Sequence, residues 1–511
     1  MMAGAAAAVV DAYLRRRRRI WERTAREPIA VQEGILRRLI TQAGATEFGR
    51  EHGFDSIRSV ADYQSRVPLR DYVAMKPRLD WALQGASDVV WPGRARHWVK
   101  TSGTTAGEKV LPVTEEAFAS HRLGGWDALL MAAERVGGRR LLGGPMLFLS
   151  GCATLTPIGH GCLCGDLSGL IVHRLPPLVR GHYSPGPAVA AIPDWETRLA
   201  AIAARVADED LRLLSGMPSW MLILLQRVAA LDGLVTLRWP KLDVFIHGGM
   251  SFAPYRTVFE HCLGRALQYV EVYPASEGFV ALQTERAGGL TLMLDYDIFY
   301  EFVPVEDLGT TRPRRQTVAD VEVDREYAIA LTTPAGLWSY LLGDTVRFTA
   351  RDPLRLQLTG RTRHFVNAFG ENVIVEEVER AVMEACRRTR AAVVEFTVAP
   401  AYPSASETRG RHDWLVEFAT PPSGSFEGFT DALDETLRRL NADYRTKRLG
   451  DVGMLGPRLR ELPPGTFYRW MGTRGKLGGQ NKVPRVTNDR AIADGVLAAV
   501  DAGVADRATV S

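Results

Sequence analysis

The segment Lys100-Thr101-Ser102-Gly103-Thr104-Thr105-Ala106-Gly107-Glu108-Lys109 places four hydroxyls and two glycines within seven positions, with a lysine at either end. Glycines let backbone N–H groups converge on an anion, hydroxyls add donors and an ammonium adds charge. Such a loop cradles phosphate. It lacks Gly-Lys-Ser/Thr and so is not a Walker A motif. A plain Ser/Thr/Gly turn has the same composition.

Four more segments carry polar groups in suggestive places. Tyr273-Pro274-Ala275-Ser276-Glu277-Gly278 comes directly after a strand pattern. A carboxylate there can hold Mg2+ and a tyrosine can stack on a base, although the segment also reads as a turn. In Tyr340-Leu341-Leu342-Gly343-Asp344-Thr345, an aspartate closes an apolar strand. It can accept both hydroxyls of a ribose, and an Asx-type turn explains it equally well. Gly360-Arg361 precedes Phe365-Val366-Asn367-Ala368-Phe369-Gly370-Glu371-Asn372. Near the end stands Lys476-Leu477-Gly478-Gly479-Gln480-Asn481-Lys482-Val483-Pro484-Arg485, whose lysines either reach a phosphate or belong to a solvated turn. Among the histidines, His121, His160, His173, His182 and His247 have no His, Asp or Glu at i+4. His247, before Gly248-Gly249, reads as a pocket residue or as a satisfied strand-end histidine.

At 511 residues the chain has room for two to four domains. It is 46% hydrophobic and 24% charged, which excludes a mostly disordered or fibrous protein. A net charge of +4 over so large a surface gives no argument for nucleic acid. Only seven of the 63 basic residues are lysines, an Arg-rich bias expected of a GC-rich, bacterial genome. Four of those lysines, Lys100, Lys109, Lys476 and Lys482, fall in the two phosphate-type segments. The five cysteines do not form a disulfide framework, and Cys162-Leu163-Cys164 is too tight for a zinc pair. No run of about 18 apolar residues offers a membrane span. Arg15 to Arg19 lead into Ile20-Trp21-Glu22-Arg23 rather than an export signal, so they read as a solvated helix face and the protein as cytoplasmic.

The elements that must position these groups follow from periodicity. Residues 1–80 read as helical, with Val31, Ile35, Leu36, Leu39 and Ile40 at helical spacing. From about residue 87, strand candidates (146–149, 242–246, 267–272, 290–294, 298–303, 327–331) alternate with helices around 115–135, 195–206 and 219–231, which favours α/β layering with mixed sheets. The last part reads as its own domain: helix 375–387 with its stripe of Val375, Val378, Val382 and Ala385, strands 391–398 and 413–419, and helix 428–440.

The order of these signals resembles the adenylate-forming superfamily and, within it, the GH3 acyl acid–amido synthetases. Thr46–Phe54 and Val67-Pro68-Leu69 are also similar to that family. The resemblance implies an α/β protein whose large N-terminal adenylate-forming domain (1–358) has mixed sheets flanked by helices, and a small mobile C-terminal α+β lid (359–511). It implies two half-reactions: a carboxylic acid and ATP-Mg2+ give acyl-AMP and pyrophosphate, then an amine, usually of an amino acid, takes the acyl group. By matched position, Thr101, Ser102, Gly103, Thr104 and Thr105 hold the ATP phosphates, with Ser102 and Thr104 catalytic. Tyr273, Ser276 and Gly249 lie at the adenine, Glu277 favours Mg2+, Asp344 binds the ribose and Arg361 touches ribose or phosphate. Lys482 swings to the α-phosphate, with Lys476 as its rival. A monomer acting on small molecules, with no nucleic acid or membrane partner, is expected. The same motifs serve a thioester ligase using CoA or a carrier protein, and a non-catalytic nucleotide-binding protein is a third reading. Asn372 stands where relatives carry His or Lys, and the chain is shorter than the plant hormone-conjugating members. The helix after Pro112 carries Phe118, Trp126, Leu129 and Leu130, with only Arg122 nearby, so an apolar or aromatic acid is expected.

Overall fold

The computed structural model describes the chain except residues 1, 102–108, 233–238, 251, 363, 364, 367, 370, 372, 403–409, 449–453, 479, 480, 488 and 509–511. Its contacts divide it into two units. The first comprises Met1–Met217, Leu224–Gly249 and Ala266–Leu358; the second comprises Pro218–Ile223, Met250–Arg265 and Thr359–Ser511.

The first unit opens on helices Met2–Arg26 and Pro28–Ala43. The basic run in the first of these is not wholly solvated. Arg17 is 4% exposed and grips the fully buried Asp127 through Nε (3.0 Å) and a terminal nitrogen (2.7 Å). It also pairs with Asp295 at 2.7 Å, while the Tyr296 hydroxyl donates to Asp127 at 2.7 Å. Successive helical residues lie about 100° apart, so a run of five must turn one member inward. The carboxylates that receive it lie over a hundred residues away, beyond reach of local pattern.

Helix Glu115–Val136 begins where the Thr114 hydroxyl accepts the Ala117 N–H at 3.0 Å, with Glu115 and Glu116 in the first turn, and stops at Gly137 (φ +90°). It packs on an eleven-stranded sheet. One half of that sheet is parallel: Tyr183–Ser184, Met146–Phe148, Leu213–Gly216, Val244–Gly248 and Gln268–Ala275 lie side by side. Helix Pro218–Asp232 links Leu213–Gly216 to Val244–Gly248, and Arg256–Leu263 leads on to Gln268–Ala275. The other half runs through Gly278–Leu282, Leu290–Leu292, Leu354–Arg361, Leu337–Arg351, Glu326–Thr333 and Phe299–Pro304, with antiparallel pairings. A smaller four-stranded sheet carries the hairpin His97–Thr101 with Lys109–Val113. The α/β layering with mixed sheets is thus as the sequence indicates. Strand Gly278–Leu282 is an addition to it.

In the second unit, strands Ala392–Ala401, Arg411–Thr420 and Arg458–Leu462 form one sheet, covered by helices Val375–Thr389 and Phe426–Leu440. Val378, Ala381, Val382 and Ala385 face Phe429, Leu433 and Leu437 in its core. Trp414, Val416 and Phe418 share the core face of the second strand, yet its other face is also buried. Asp413 there is fully buried against Arg458 (2.7 Å) and Arg490 (3.0 Å), and Glu417 accepts the Gly465 N–H at 2.6 Å. All five cysteines are free. Among the described residues, no helix is long and apolar enough to cross a membrane.

Candidate active site

In a sheet with parallel strands, ligands settle outside the carboxyl ends, where loops meet. Registers Gly216↔His247 and Gly248↔Val272 bring three such ends together. The glycine doublet there has two separate reasons. A Cβ on Gly248 would lie 2.2 Å from the Val272 carbonyl oxygen, so that position must be bare. Gly249 turns the chain at φ +83°, which a side chain resists. His247 lies within the strand, buried, with its ring against Phe245 and Tyr269 (centroids 5.3 and 6.2 Å).

The neighbouring strand runs through Tyr273, Pro274 and Ala275 rather than stopping before them. Ala275 pairs with Gly278, so Ser276 and Glu277 are the two residues of a tight turn. Both are buried, 9% and 8% exposed. Turns normally lie in water, and a turn that buries a hydroxyl and a carboxylate is built for something other than reversing the chain. On helix Glu115–Val136, His121 bonds the Ser276 backbone. Burial pushes its pKa down to about 4, so the ring is neutral at neutral pH. One turn further on, Gly124 lies under the Phe279 ring, where a Cβ would come within 2.4 Å of ring atoms. The residues of this helix turned toward the site are therefore His121 and Gly124. Phe118 belongs to the core beneath the small sheet, and Arg122 is exposed.

Asp344 does not close its strand. The strand continues to Arg351, and Ala328↔Thr345 beside Ala330↔Leu341 puts two extra residues into Leu342-Gly343-Asp344. That bulge, with Gly343 at φ +91°, re-aims one side chain out of the pleat. Asp344 is 8% exposed and its Oδ2 accepts the Tyr273 hydroxyl at 2.6 Å. The Tyr273 and Asp344 side chains are thus hydrogen-bonded to each other.

A second link joins Glu277 to the base of the phosphate-type loop. The Tyr340 hydroxyl lies 3.5 Å from Glu277 Oε1 and 3.5 Å from Lys109 Nζ. The Lys109 ammonium stands over the Tyr72 and Tyr340 rings, 5.7 and 5.9 Å from their centroids. Burial, reinforced by the Glu277 charge, raises the Tyr340 pKa, so the phenol keeps its proton. Thr101, half-buried, pairs with Lys109 across the mouth of the loop. Ser102, Gly103, Thr104 and Thr105 lie outside the described residues. No cluster of three or more His, Cys, Asp or Glu suited to a metal occurs among the described residues. Mg2+ is commonly held by one or two carboxylates together with substrate phosphates, and a lone buried Glu277 fits that manner of binding.

Sequence reasoning placed Lys109 at the end of the phosphate-type loop and Tyr340 at the head of the Tyr340–Thr345 segment without joining the two, and gave His121 no role. The remaining assigned residues belong to the second unit. Arg361 ends strand Leu354–Arg361. Lys482 is exposed, one residue after Asn481, whose carbonyl accepts the Trp220 indole N–H at 2.9 Å. Lys476 is half-buried, and its backbone N–H donates to Met471.

A mixed sheet with polar groups gathered at its parallel strand ends is the layout of adenylate-forming enzymes. Three models of one family match in order: the GH3 family N-terminal domain (17–201), central domain (291–361) and C-terminal domain (376–491), together more than half of the chain. The chain belongs to the GH3 family. An indole-3-acetic acid-amido synthetase GH3.8 of Oryza sativa subsp. indica is 30% identical over 277 residues, 50% of this chain and 45% of that protein. The chain thus spans about half the length of such relatives. A probable indole-3-acetic acid-amido synthetase GH3.2 of Oryza sativa subsp. japonica is 24% identical, covering 89% of this chain and 88% of its own. Among solved structures, a GH3.15 acyl acid amido synthetase shares the fold at TM-score 0.76 and 16% identity, over 92% of this chain and 93% of that one. A 2-hydroxyisobutyryl-CoA ligase in its postadenylation state shares it at TM-score 0.54 and 15% identity, over 93% and 92%.

Proposed function

We propose that this protein is an ATP-dependent acyl acid–amido synthetase. In the first step a carboxylate oxygen of the acid attacks the ATP α-phosphorus and the bond to pyrophosphate breaks, leaving acyl-AMP. In the second, an amine nitrogen attacks the acyl carbon, the bond to AMP breaks and the nitrogen loses its proton. A carboxylate is a poor electrophile; the mixed anhydride with AMP is a good one. The protein's share is positioning and offsetting charge.

The observation that carries this reading is two bonded links, Asp344–Tyr273 and Glu277–Tyr340–Lys109, brought together by the short buried stretch from Tyr273 through Ser276 to Glu277. Asp344 takes the ribose hydroxyls, oriented by Tyr273. Tyr273, Ser276 and Gly249 border the adenine. Thr101, Ser102, Gly103, Thr104, Thr105 and Lys109 hold phosphate oxygens. Glu277 holds Mg2+, which when bound offsets phosphate charge. Arg361 and Lys482 act from a mobile C-terminal domain, residues 359–511, with Lys482 meeting the α-phosphate only during adenylation. The relatives' names put indole-3-acetic acid and similar aromatic acids first as acyl substrates, and amino acids first as acceptors. A bacterial source fits the arginine bias; a cytoplasmic monomer is the expected form.

The test is pyrophosphate release with ATP and Mg2+ over a panel of aromatic and aliphatic acids, followed by CoA or an amino-acid mixture. Acyl-AMP without acceptor, then amide with amino acids, is the expected result. Thioester with CoA instead would reassign the acceptor, and no release with any acid would overturn adenylation.

A further inference from the structure

Lys482 sits on a segment held at both ends, and the holding groups lie within the second unit. On one side, Trp220 bonds the Asn481 carbonyl at 2.9 Å. On the other, the Thr397 hydroxyl donates to the Pro484 carbonyl at 2.7 Å, and the Val398 N–H donates to the Arg485 carbonyl at 2.8 Å. The Thr487 N–H returns to the Val398 carbonyl at 3.1 Å, so Val486 forms a parallel bridge onto strand Ala392–Ala401. Only Lys482 and Val483 lie between the two anchors. At about 3.8 Å per Cα step, the lysine's Cα is fixed to within a residue of a bonded carbonyl. Its side chain stays exposed.

The second anchor is locked by a buried charge cluster. Arg485 is 6% exposed, and its guanidinium bonds Glu395 (7% exposed), the Phe396 carbonyl (3.0 Å) and the hydroxyl of Tyr255 (1% exposed). That hydroxyl in turn donates to Glu395 at 3.1 Å. The guanidinium also lies over the Phe396 ring, 4.4 Å from its centroid, and 3.7 Å from Glu379. A buried ion pair is a poor source of stability, and the use it serves best is to specify one arrangement over others. Here the arrangement specified is the register of Pro484–Thr487 on the strand. A lysine at 485 offers a point charge in place of the planar fork that reaches Glu395, Phe396 and Tyr255 together.

We infer that Arg485, Glu395 and Tyr255 are positioning residues that hold the Lys482 segment in the place adenylation requires, and that the bonds to Trp220 and Tyr255, which lie outside residues 359–511, are made for that step and released for acyl transfer. This rests on the assignment of Lys482 to the adenylation step. Misplacing a reacting group by about 1 Å costs roughly 100-fold in rate, so Arg485→Lys is expected to slow adenylation by about 10- to 100-fold and Tyr255→Phe by less. Both side chains are buried and bonded to one another and to Glu395, so ATP KM is expected to hold, as is acyl transfer from chemically made acyl-AMP to amine. The measurements are pyrophosphate release at saturating ATP and acid, the separate transfer assay, and thermal melting of each variant. A role in folding alone lowers both half-reactions together, and that result would overturn the inference. So would a folded Arg485→Lys that adenylates like wild type. If Arg485→Lys does not fold, Tyr255→Phe decides, since it keeps both charges. A wild-type enzyme that releases no pyrophosphate with any acid overturns the adenylation reading itself, and this inference with it; loss confined to the variants' adenylation step supports both.

Discussion

Asp344→Ala separates ATP binding from catalysis most cleanly. A carboxylate has roughly four acceptor sites, and the Tyr273 hydroxyl occupies one of them at 2.6 Å. On the proposed assignment, the two ribose hydroxyls bond the same carboxylate in the ground state and in the transition state alike. Hydrogen bonds to a charged group contribute about 1.5 kcal/mol each at the low end, so losing two costs about 3 kcal/mol. At about 1.4 kcal/mol per factor of ten, that raises the ATP KM roughly 100-fold while kcat for acyl-AMP formation changes little. The substitution also removes the carboxylate that the Tyr273 hydroxyl bonds, and Tyr273 is only 5% exposed. That costs folding stability of about 1–3 kcal/mol, read as a lower Tm and not as KM. Tyr273→Phe alone removes the orienting donor and leaves the charge, so its effect on ATP KM stays below about tenfold, the order of one net hydrogen bond. In the Asp344→Ala background the same change adds nothing further to KM, since the pair acts through the carboxylate. The assay is pyrophosphate release at saturating acid over a range of ATP. An unchanged ATP KM in folded Asp344→Ala, or a fall in kcat at constant KM, refutes the ribose assignment.

On the proposed assignment, Lys482→Ala removes charge offered only while the α-phosphate is attacked, so adenylation is expected to fall about 10²–10³-fold while transfer from made acyl-AMP stays near wild type. Lys476→Ala spares both steps; equal damage to both in Lys482→Ala sinks the assignment. His121 predicts a pH dependence. Its folded pKa of about 4 lies below the unfolded 6.5, so the unfolded chain binds the extra proton and stability falls as pH drops from 6.5 toward 4. The shift amounts to roughly 3 kcal/mol at the low end of that window. Urea titrations from pH 7 to 4 are expected to show a shallower decline in His121→Gln, which keeps a neutral donor, and parallel declines refute the buried neutral ring.

Helices and strands with a clean period were legible. Helix 426–440, read as 428–440, declares itself by its stripe and acid–base bias, and helix 115–136, read as 115–135, by the Thr114 cap, the acidic first turn and the closing Gly137. Strand Gly278–Leu282 did not, because Ser276-Glu277 lacks the Gly and Asn that announce a two-residue hairpin. Those positions are given over to a buried hydroxyl and carboxylate, so local turn chemistry yields to the site. The bulge at Asp344 was hidden for a related reason. Two surplus residues in a strand leave no mark in an apolar run; they appear only in the register against Glu326–Thr333.

The order of the chemical segments along the chain was legible, and their joints were not. Tyr273 meets Asp344 across 71 residues, Glu277 meets Tyr340 across 63, and Lys109 meets Tyr340 across 231. Each joint is a single contact between atoms that no periodicity relates. Tyr340 shows why such residues escape notice. It is fully buried in an apolar strand and belongs, with Trp338 and Phe48, to the core beneath the small sheet. By pattern it is a core residue, and by area it is one. Its hydroxyl reaches Glu277 and Lys109. One oxygen contributes nothing to the hydropathy that fixes the strand, so a phenylalanine would have satisfied the fold equally well. What distinguishes tyrosine here is the chemistry at the strand ends, and that becomes visible only once the sheet has brought the loop base and the buried turn to the same hydroxyl.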